Sequence, residues 1–191
     1  DRYTSVNEWI FQYLFSLDQK IAFRDCANDK SITFADFVKD VDLLRSFFIE
    51  RGLKDEKIAL ASENSYRWIV TALGIICSGN CFVPIDVELA EEHILRQIDH
   101  VQCKMVIFSS SFSDVFIADD RHLLIPELFE TVTHKQETAA IHKQEIDVKR
   151  ESNDNKPAMI VFTSGTTGTP KGVMLTEKNI LAVIKGGNEA I

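Results

Sequence analysis

The sequence is poor in cysteine, and its cysteines do not form a recognisable site. Four are present among 191 residues, at positions 26, 77, 81 and 103. Their spacing lacks the paired pattern of a metal site, and their density is far below that of a secreted disulfide scaffold. We therefore expect reduced and mostly buried thiols. The N-terminal stretch also lacks a basic region followed by an apolar run, so a cytoplasmic location is predicted.

Basic residues are outnumbered by acidic ones, which argues against nucleic acid as a partner. The chain carries 21 Lys and Arg against 29 Asp and Glu, for a formal net charge of -8 and a pI near 5.1. Such a charge weakens attraction to phosphate polymers. Long apolar runs are also missing, because the most apolar segment, residues 68–77, is too short to cross a bilayer. The sequence therefore predicts no nucleic-acid partner and no transmembrane segment.

Metal-binding patterns are absent as well. The five histidines, at positions 93, 100, 122, 134 and 142, include no His-x-x-x-His or His-Glu-x-x-His arrangement. Adjacent acids such as Asp119 and Asp120 are expected to be solvated, not bound to magnesium. We therefore assign no metal ligand to this chain and expect the imidazoles to lie on the surface.

What the sequence does contain is apolar periodicity that predicts alternating strands and helices. In residues 33–51 apolar side chains recur at helical spacing, with Thr33 as N-cap and Gly52 as the stop. Then follow strand 57–61, helix 65–78 capped by Asn64, strand 81–85, a helix capped by Asp86, and strand 105–108. Helices between strands imply right-handed crossovers. The predicted fold is α/β, a doubly wound and mostly parallel sheet with helices on both faces.

Composition divides the chain into three parts. Residues 1–130 contain the βαβ unit, and residues 131–156, rich in Lys, Glu, Gln, Asn and Asp, are predicted to be an exposed connector. Residues 157–191 hold a strand, a turn rich in glycine and threonine, and a final helix capped by Thr176. That helix reaches Gly186 and Gly187 close to residue 191, an unusual place for a domain to finish. We therefore expect an incomplete N-terminal domain.

The turn after the strand at 157–162 has the composition of a polyphosphate-binding loop. From residue 163 to 172 it reads Thr-Ser-Gly-Thr-Thr-Gly-Thr-Pro-Lys-Gly. Backbone N–H groups and hydroxyls can hold anionic oxygens, glycines permit close approach, and an ammonium group can neutralise charge. The candidate binding residues are Thr163, Ser164, Gly165, Thr166, Thr167, Gly168, Thr169 and Lys171.

Spacing excludes two other nucleotide-binding loops. A Walker A loop, Gly-x-x-x-x-Gly-Lys-Ser/Thr, counted from Gly165, needs a glycine where Pro170 stands, and no hydroxyl residue follows Lys171. The fingerprint Gly-x-Gly-x-x-Gly of dinucleotide-binding enzymes is also missing, which argues against a nicotinamide enzyme.

The loop resembles, nearly letter for letter, the phosphate-binding signature of the acyl-adenylate-forming superfamily. Its members include acyl-CoA synthetases, peptide-synthetase adenylation domains and firefly luciferase. The resemblance extends upstream to residues 63–79 and 83–86, and downstream to residues 174–180, where the sequence is most similar to fatty acyl-CoA synthetases. It implies that the chain is the front part of the large N-terminal AMP-binding domain of such an enzyme.

This resemblance implies an activity in two half-reactions. A carboxylate attacks the α-phosphorus of ATP to give acyl-AMP and pyrophosphate, and a thiol, expected to be that of CoA, then displaces AMP. Thr163 to Lys171 are expected to hold the β- and γ-phosphates. The family's Mg²⁺ ligand and catalytic lysine come after residue 191, so Mg²⁺ is expected to bind through residues beyond this chain. No catalytic residue is expected within it, and the 191 residues alone are expected to be inactive.

Three functions remain open at this point. The protein activates a fatty acid for CoA, or it loads an amino or aryl acid onto a carrier-protein thiol, or it is a non-catalytic nucleotide-binding module. The loop does not separate these functions. We also expect apolar surface near Phe162 and Ile180 to cause self-association.

Overall fold

A six-stranded sheet forms the centre of the structure. The computed structural model describes residues 3–26, 29–138, 156–163 and 171–189. The strands are β1 (Ile21–Asp25), β2 (Lys30–Thr33), β3 (Lys57–Ala61), β4 (Cys81–Ile85), β5 (Met105–Phe108), β6 (His122–Leu124), β7 (Pro157–Thr163) and β8 (Lys171–Thr176). Their order in the main sheet is β6-β5-β3-β4-β7-β8. The first five run parallel and β8 is antiparallel to β7.

Helices cover both faces of this sheet. They are α1 (Val6–Glu8), α2 (Phe34–Glu50), α3 (Tyr66–Cys77), α4 (Glu91–Val101), α5 (Ile125–Thr138) and α6 (Glu177–Glu189). Alternate residues of a strand point to opposite faces. Accordingly, Ile58 and Leu60 belong to the apolar cluster that includes α2 and α3, whereas Ala59 and Ala61 belong to the cluster that includes α4. The predicted doubly wound, mostly parallel fold is confirmed.

The N-terminal segment, which gave no signal in the sequence, packs against the first of these faces. Ser5 caps α1, its side chain accepting the N–H of Glu8, and the helix continues as a π-helical turn over Trp9–Leu14. Val6 and Ile10 are fully buried against this face. A separate antiparallel pair, β1 and β2, follows and leads into α2.

Two of the three helix caps predicted before residue 110 lie elsewhere than expected. Thr33 caps α2 as predicted, its Oγ1 accepting the N–H of Asp36 at 3.1 Å. The cap of α3 is Ser65 and not Asn64, because the Ser65 hydroxyl is the group that accepts the N–H of Trp68, at 3.1 Å. Asp86 does not cap α4, which begins at Glu91. Its carboxylate instead accepts the N–H of Glu88, and the turn runs on because Val87 and Leu89 pack onto the core.

The start of the predicted connector was wrong. Helix α5 extends to Thr138, so residues 131–138 are helical. The reason is an apolar stripe, since Ile125, Leu128 and Val132 are all buried against the core at helical spacing. The polar composition after residue 130 concealed these few apolar residues. Residues 139–155 lie outside the described part of the chain.

A glycine allows α2 and α3 to approach each other closely. A Cβ atom at Gly74 would lie 2.5 Å from the Cβ of Leu44, a distance that no side chain tolerates. The same two helices are joined by a hydrogen bond in which the Tyr66 hydroxyl donates to Asp40 at 2.7 Å. Burial raises the pKa of the Asp40 carboxyl. These contacts fix α3, and with it the strand-to-helix turn that precedes it.

Candidate functional site

The predicted binding loop connects the two strands of a hairpin at one edge of the sheet. Strand β7 ends at Thr163 and β8 begins at Lys171, and these two residues are partners in the antiparallel ladder. The Thr163 hydroxyl donates to the backbone carbonyl of Lys171 at 3.4 Å. The ends of the loop are therefore held side by side. Ser164, Gly165, Thr166, Thr167, Gly168 and Thr169 lie outside the described residues, so their proposed role stays a prediction.

Gly172 is a structural requirement of this hairpin that the sequence analysis overlooked. A Cβ atom at Gly172 would lie 2.9 Å from the Cγ2 of Ile160, inside any normal contact distance. Ile160 is a buried residue of β7 itself, and Gly172 pairs with Phe162 in the ladder. A glycine one residue after the lysine therefore lets β8 lie flat on β7 next to the loop. The sequence signal that could have identified Gly172 was its place in the motif, directly after Lys171.

Thr163 and Lys171, the described residues on either side of the loop, lie at the carboxyl edge of the parallel strands. The ladder between β4 and β7 pairs Phe82 with Met159, and continuing that register four residues places Asp86 level with Thr163. The residues after β3, including Glu63, reach the same edge, because parallel strands end together. In doubly wound sheets ligands bind at this edge, where successive crossovers turn in opposite directions. Here that point lies between β3 and β5, which are neighbours in the sheet.

Charges at this edge have both signs. The pKa of the Glu63 carboxyl is lowered, first by a hydrogen bond from its own backbone N–H and then by the hydroxyl of Ser111. Asp86 accepts a backbone N–H, as described above, and Lys171 is exposed. The lysine thus brings a positive charge to an edge that also carries carboxylates. Because these carboxylates repel an anionic ligand, binding of such a ligand at this edge depends more on the positive charge of Lys171 than it would at a neutral surface.

The cysteines and the possible metal-binding side chains do not form a second site in the described residues. Cys77, Cys81 and Cys103 are buried and Cys26 is exposed, which confirms mostly buried thiols. Burial raises the pKa of Cys81 to about 11 and that of Cys103 to about 12, so neither is a reactive thiolate. In the described ranges, no three His, Cys, Asp or Glu side chains converge on a possible metal position.

The described helices also bear on membrane association. None of them combines the length and the apolar character needed to cross a bilayer.

His93 and His100 lie exposed on α4, where the sequence analysis expected them.

Comparison with known proteins gives a consistent result. The family model described as AMP-binding enzyme matches residues 16–190. Gramicidin S synthase 2 from Brevibacillus brevis is 34% identical over 157 residues, which are 82% of this chain and 3% of that protein. The mitochondrial malonate–CoA ligase of Homo sapiens is 32% identical over 139 residues, 70% of this chain and 23% of that protein.

Solved structures share the fold. The N-terminal domain of FACL13 from Mycobacterium tuberculosis, with an inhibitor bound, superposes with a TM-score of 0.75 at 22% identity, over 92% of this chain and 45% of that chain. VinN in complex with 3-methylaspartate superposes with a TM-score of 0.82 at 19% identity, over 98% of this chain and 52% of that one. This chain therefore spans at most about half the length of these relatives.

Proposed function

The chain belongs to the family of AMP-binding enzymes, and from this we propose that the protein activates a carboxylic acid with ATP and transfers the acyl group to a thiol. The acid displaces pyrophosphate from the α-phosphorus to give acyl-AMP, and the thiol then displaces AMP. Our first candidate is a fatty acid with CoA as acceptor. The observation that carries the proposal is the hairpin that holds Thr163 and Lys171 side by side at the carboxyl edge.

The role that we propose for this hairpin is to hold the β- and γ-phosphates of ATP. Lys171 supplies positive charge, and the hydroxyls and backbone N–H groups from Thr163 through Thr169 supply hydrogen bonds. Fixed donors of this kind stabilise the charge that moves onto pyrophosphate as it leaves. The described residues supply no cluster for Mg²⁺. The family resemblance leads us to expect that Mg²⁺ binds through residues beyond this chain.

A second candidate is the activation of an amino or aryl acid for a carrier-protein thiol. The similarity to gramicidin S synthase 2 favours it, just as the similarity to malonate–CoA ligase favours CoA. The two relatives are almost equally identical to this chain, at 34% and 32%. Their identity therefore does not decide between the acceptors, and substrate choice has to be measured.

Acid-dependent exchange of pyrophosphate into ATP by the native protein tests the proposal. We expect exchange with fatty acids and none with amino or aryl acids. Exchange with amino acids alone would replace the first candidate by the second. ATP binding without exchange for any acid would overturn the enzymatic proposal in favour of a non-catalytic module.

A matched pair of variants tests the role of the hairpin in the same assay. Lys171→Ala should reduce exchange strongly, whereas Lys178→Ala, the same charge change at an exposed position of α6, should not.

A further inference from the structure

The first residue of α6 is joined to the N-terminal helix by a contact between distant parts of the chain. Glu177 Oε1 accepts the Val6 N–H at 2.6 Å. Val6 is the first residue of α1 and is 1% exposed, so this carboxylate provides the acceptor for a buried donor. The N-terminal end of a helix carries partial positive charge, which favours a carboxylate there. Because a buried N–H that loses its acceptor destabilises its surroundings, the contact resists displacement.

A second contact joins the same two segments farther along α6. The Lys185 ammonium lies over the Tyr3 ring, 5.6 Å from its centroid, about two helical turns after Glu177. Between these two positions Leu181 is buried in the apolar cluster that also contains Tyr3 and Val6. The N-terminal segment therefore contacts α6 over about two turns, beginning at its first residue.

The N-terminal segment is itself fixed to the core of the fold. Helix α1 packs on α3, and the π-helical turn that follows it packs on α2. Ile10 in that turn is fully buried, and the Arg45 guanidinium of α2 lies over the Phe11 ring at 5.4 Å. Through the N-terminal segment, Glu177 therefore connects α6 to the α2–α3 pair, whose close contact depends on Gly74.

Few backbone hydrogen bonds join the hairpin to the rest of the sheet. Among the described residues, β7 pairs with β4 only through Met159 and Phe82, near the start of β7. Strand β8 is the edge of the described sheet and pairs with β7. Thr176 ends β8 and Glu177 begins α6 with no residue between them. The position of Glu177 therefore fixes the end of β8.

We propose that Glu177 is a positioning residue that holds β8, and with it Lys171, in place relative to the α2–α3 pair. The inference rests on the proposed role of the hairpin in binding phosphates. Lys171 and Glu177 are six residues apart in sequence, and a strand rise of about 3.3 Å per residue separates them by roughly 20 Å. Over that length a tilt of about 5° at Glu177 moves Lys171 by about 2 Å. A displacement of about 1 Å is enough to slow a reaction roughly a hundredfold.

Three variants of the native protein test this role in the pyrophosphate-exchange assay. Glu177→Ala should raise the KM for ATP about fivefold and lower kcat about tenfold, with the KM for the acid unchanged, because the hairpin is proposed to hold only ATP. Glu177→Gln keeps an oxygen acceptor for the Val6 N–H and should restore both values to within about twofold. Glu127→Ala, the same change at an exposed position in the first turn of α5, should alter neither.

The KM for ATP separates positioning from a general loss of stability. Partial unfolding lowers the amount of active protein and leaves the KM of the remaining molecules unaltered. If Lys171→Ala raises the KM for ATP and Glu177→Ala does not, the positioning role of Glu177 is overturned.

Methionine methyl signals follow the position of the hairpin independently of activity. Met159 lies in β7, Met174 in β8, and Met105 in β5, where it is buried. In protein labelled at these methyl groups, Glu177→Ala should shift the signals of Met159 and Met174 and leave that of Met105. Glu177→Gln should shift none of them. Unchanged signals of Met159 and Met174 in Glu177→Ala would show that Glu177 does not hold the hairpin.

The two proposals fail in different ways. Shifted methyl signals together with a normal KM for ATP in both Glu177→Ala and Lys171→Ala would overturn the phosphate role of the hairpin and support its anchoring by Glu177. Unshifted signals in Glu177→Ala, with a raised KM for ATP in Lys171→Ala, would keep the phosphate role and overturn the anchoring.

Discussion

The three central strands and the β7–β8 hairpin belong to one sheet but differ in their exposure to water. In β3, β4 and β5 nearly every side chain is buried, because helices cover both faces. In β8, by contrast, Val173 is 45% exposed and Met174 is 68% exposed, and the strand lies at the edge. The centre therefore supplies stability. The hairpin presents the residues of the loop, and its own burial contributes less.

The largest effect that separates the two regions is expected from truncating buried side chains. Ile107→Ala in β5 removes a fully buried side chain and should lower the free energy of unfolding by about 2–5 kcal/mol. Val173→Ala in β8 should cost less than about 0.5 kcal/mol, since its side chain is half exposed. Urea unfolding of both variants measures the difference. Equal losses would show that the hairpin contributes to the core as much as the centre does.

Glycine substitutions sharpen the comparison at a smaller scale. Gly74→Ala forces α2 and α3 apart and should cost about 1–3 kcal/mol of unfolding free energy. Gly172→Ala, whose Cβ would meet the Ile160 methyl, should cost less and should also impair pyrophosphate exchange, because β8 would lift beside the loop. Gly186→Ala is the control, with open space around it on α6, and should be neutral or stabilising by up to about 1 kcal/mol. A stable Gly74→Ala protein would contradict this close helix contact.

Loop substitutions should reverse the order of effects, changing activity and not stability. Loss of one charge-assisted hydrogen bond costs about 1.5–3 kcal/mol, so Thr166→Ala and Lys171→Ala should each slow pyrophosphate exchange by roughly tenfold to a hundredfold in the native protein. Thermal unfolding of the same variants should be nearly unchanged. Normal exchange in both variants, or unfolding of either, would remove the proposed distinction between the two regions.

The smallest effect concerns association through the exposed edge. Val173, Met174 and Val183 leave apolar side chains in water at β8 and α6, close to the predicted residues Phe162 and Ile180, which are themselves partly buried. We expect weak self-association of the 191-residue chain by sedimentation at high concentration. Met174→Lys should reduce it without changing stability. A monomer at all concentrations would contradict this expectation.

The sequence predicted the centre of the fold better than its borders. Strands such as β3 and β5 are continuous apolar runs between helices, and a run of this kind is unambiguous when both faces are buried. The N-terminal segment gave no signal, because its burial depends on helices far away in sequence: α1, with Val6, packs on α3 and α6, and the π-helical turn that contains Ile10 packs on α2. The site was identified as a motif only. Its Gly172 contact and the level position of Asp86 depend on pairing between distant strands, which local spacing does not contain.

The hydrogen bond from the Val6 N–H to Glu177 joins residues that are 171 positions apart. A chain grows at about 5–20 residues per second during synthesis, so the amide of Val6 waits roughly 10–30 s for its partner. During that interval the N-terminal helix lacks an acceptor that the finished fold supplies. We therefore expect a stalled chain that ends before residue 177 to leave its first helix without this acceptor and incompletely docked.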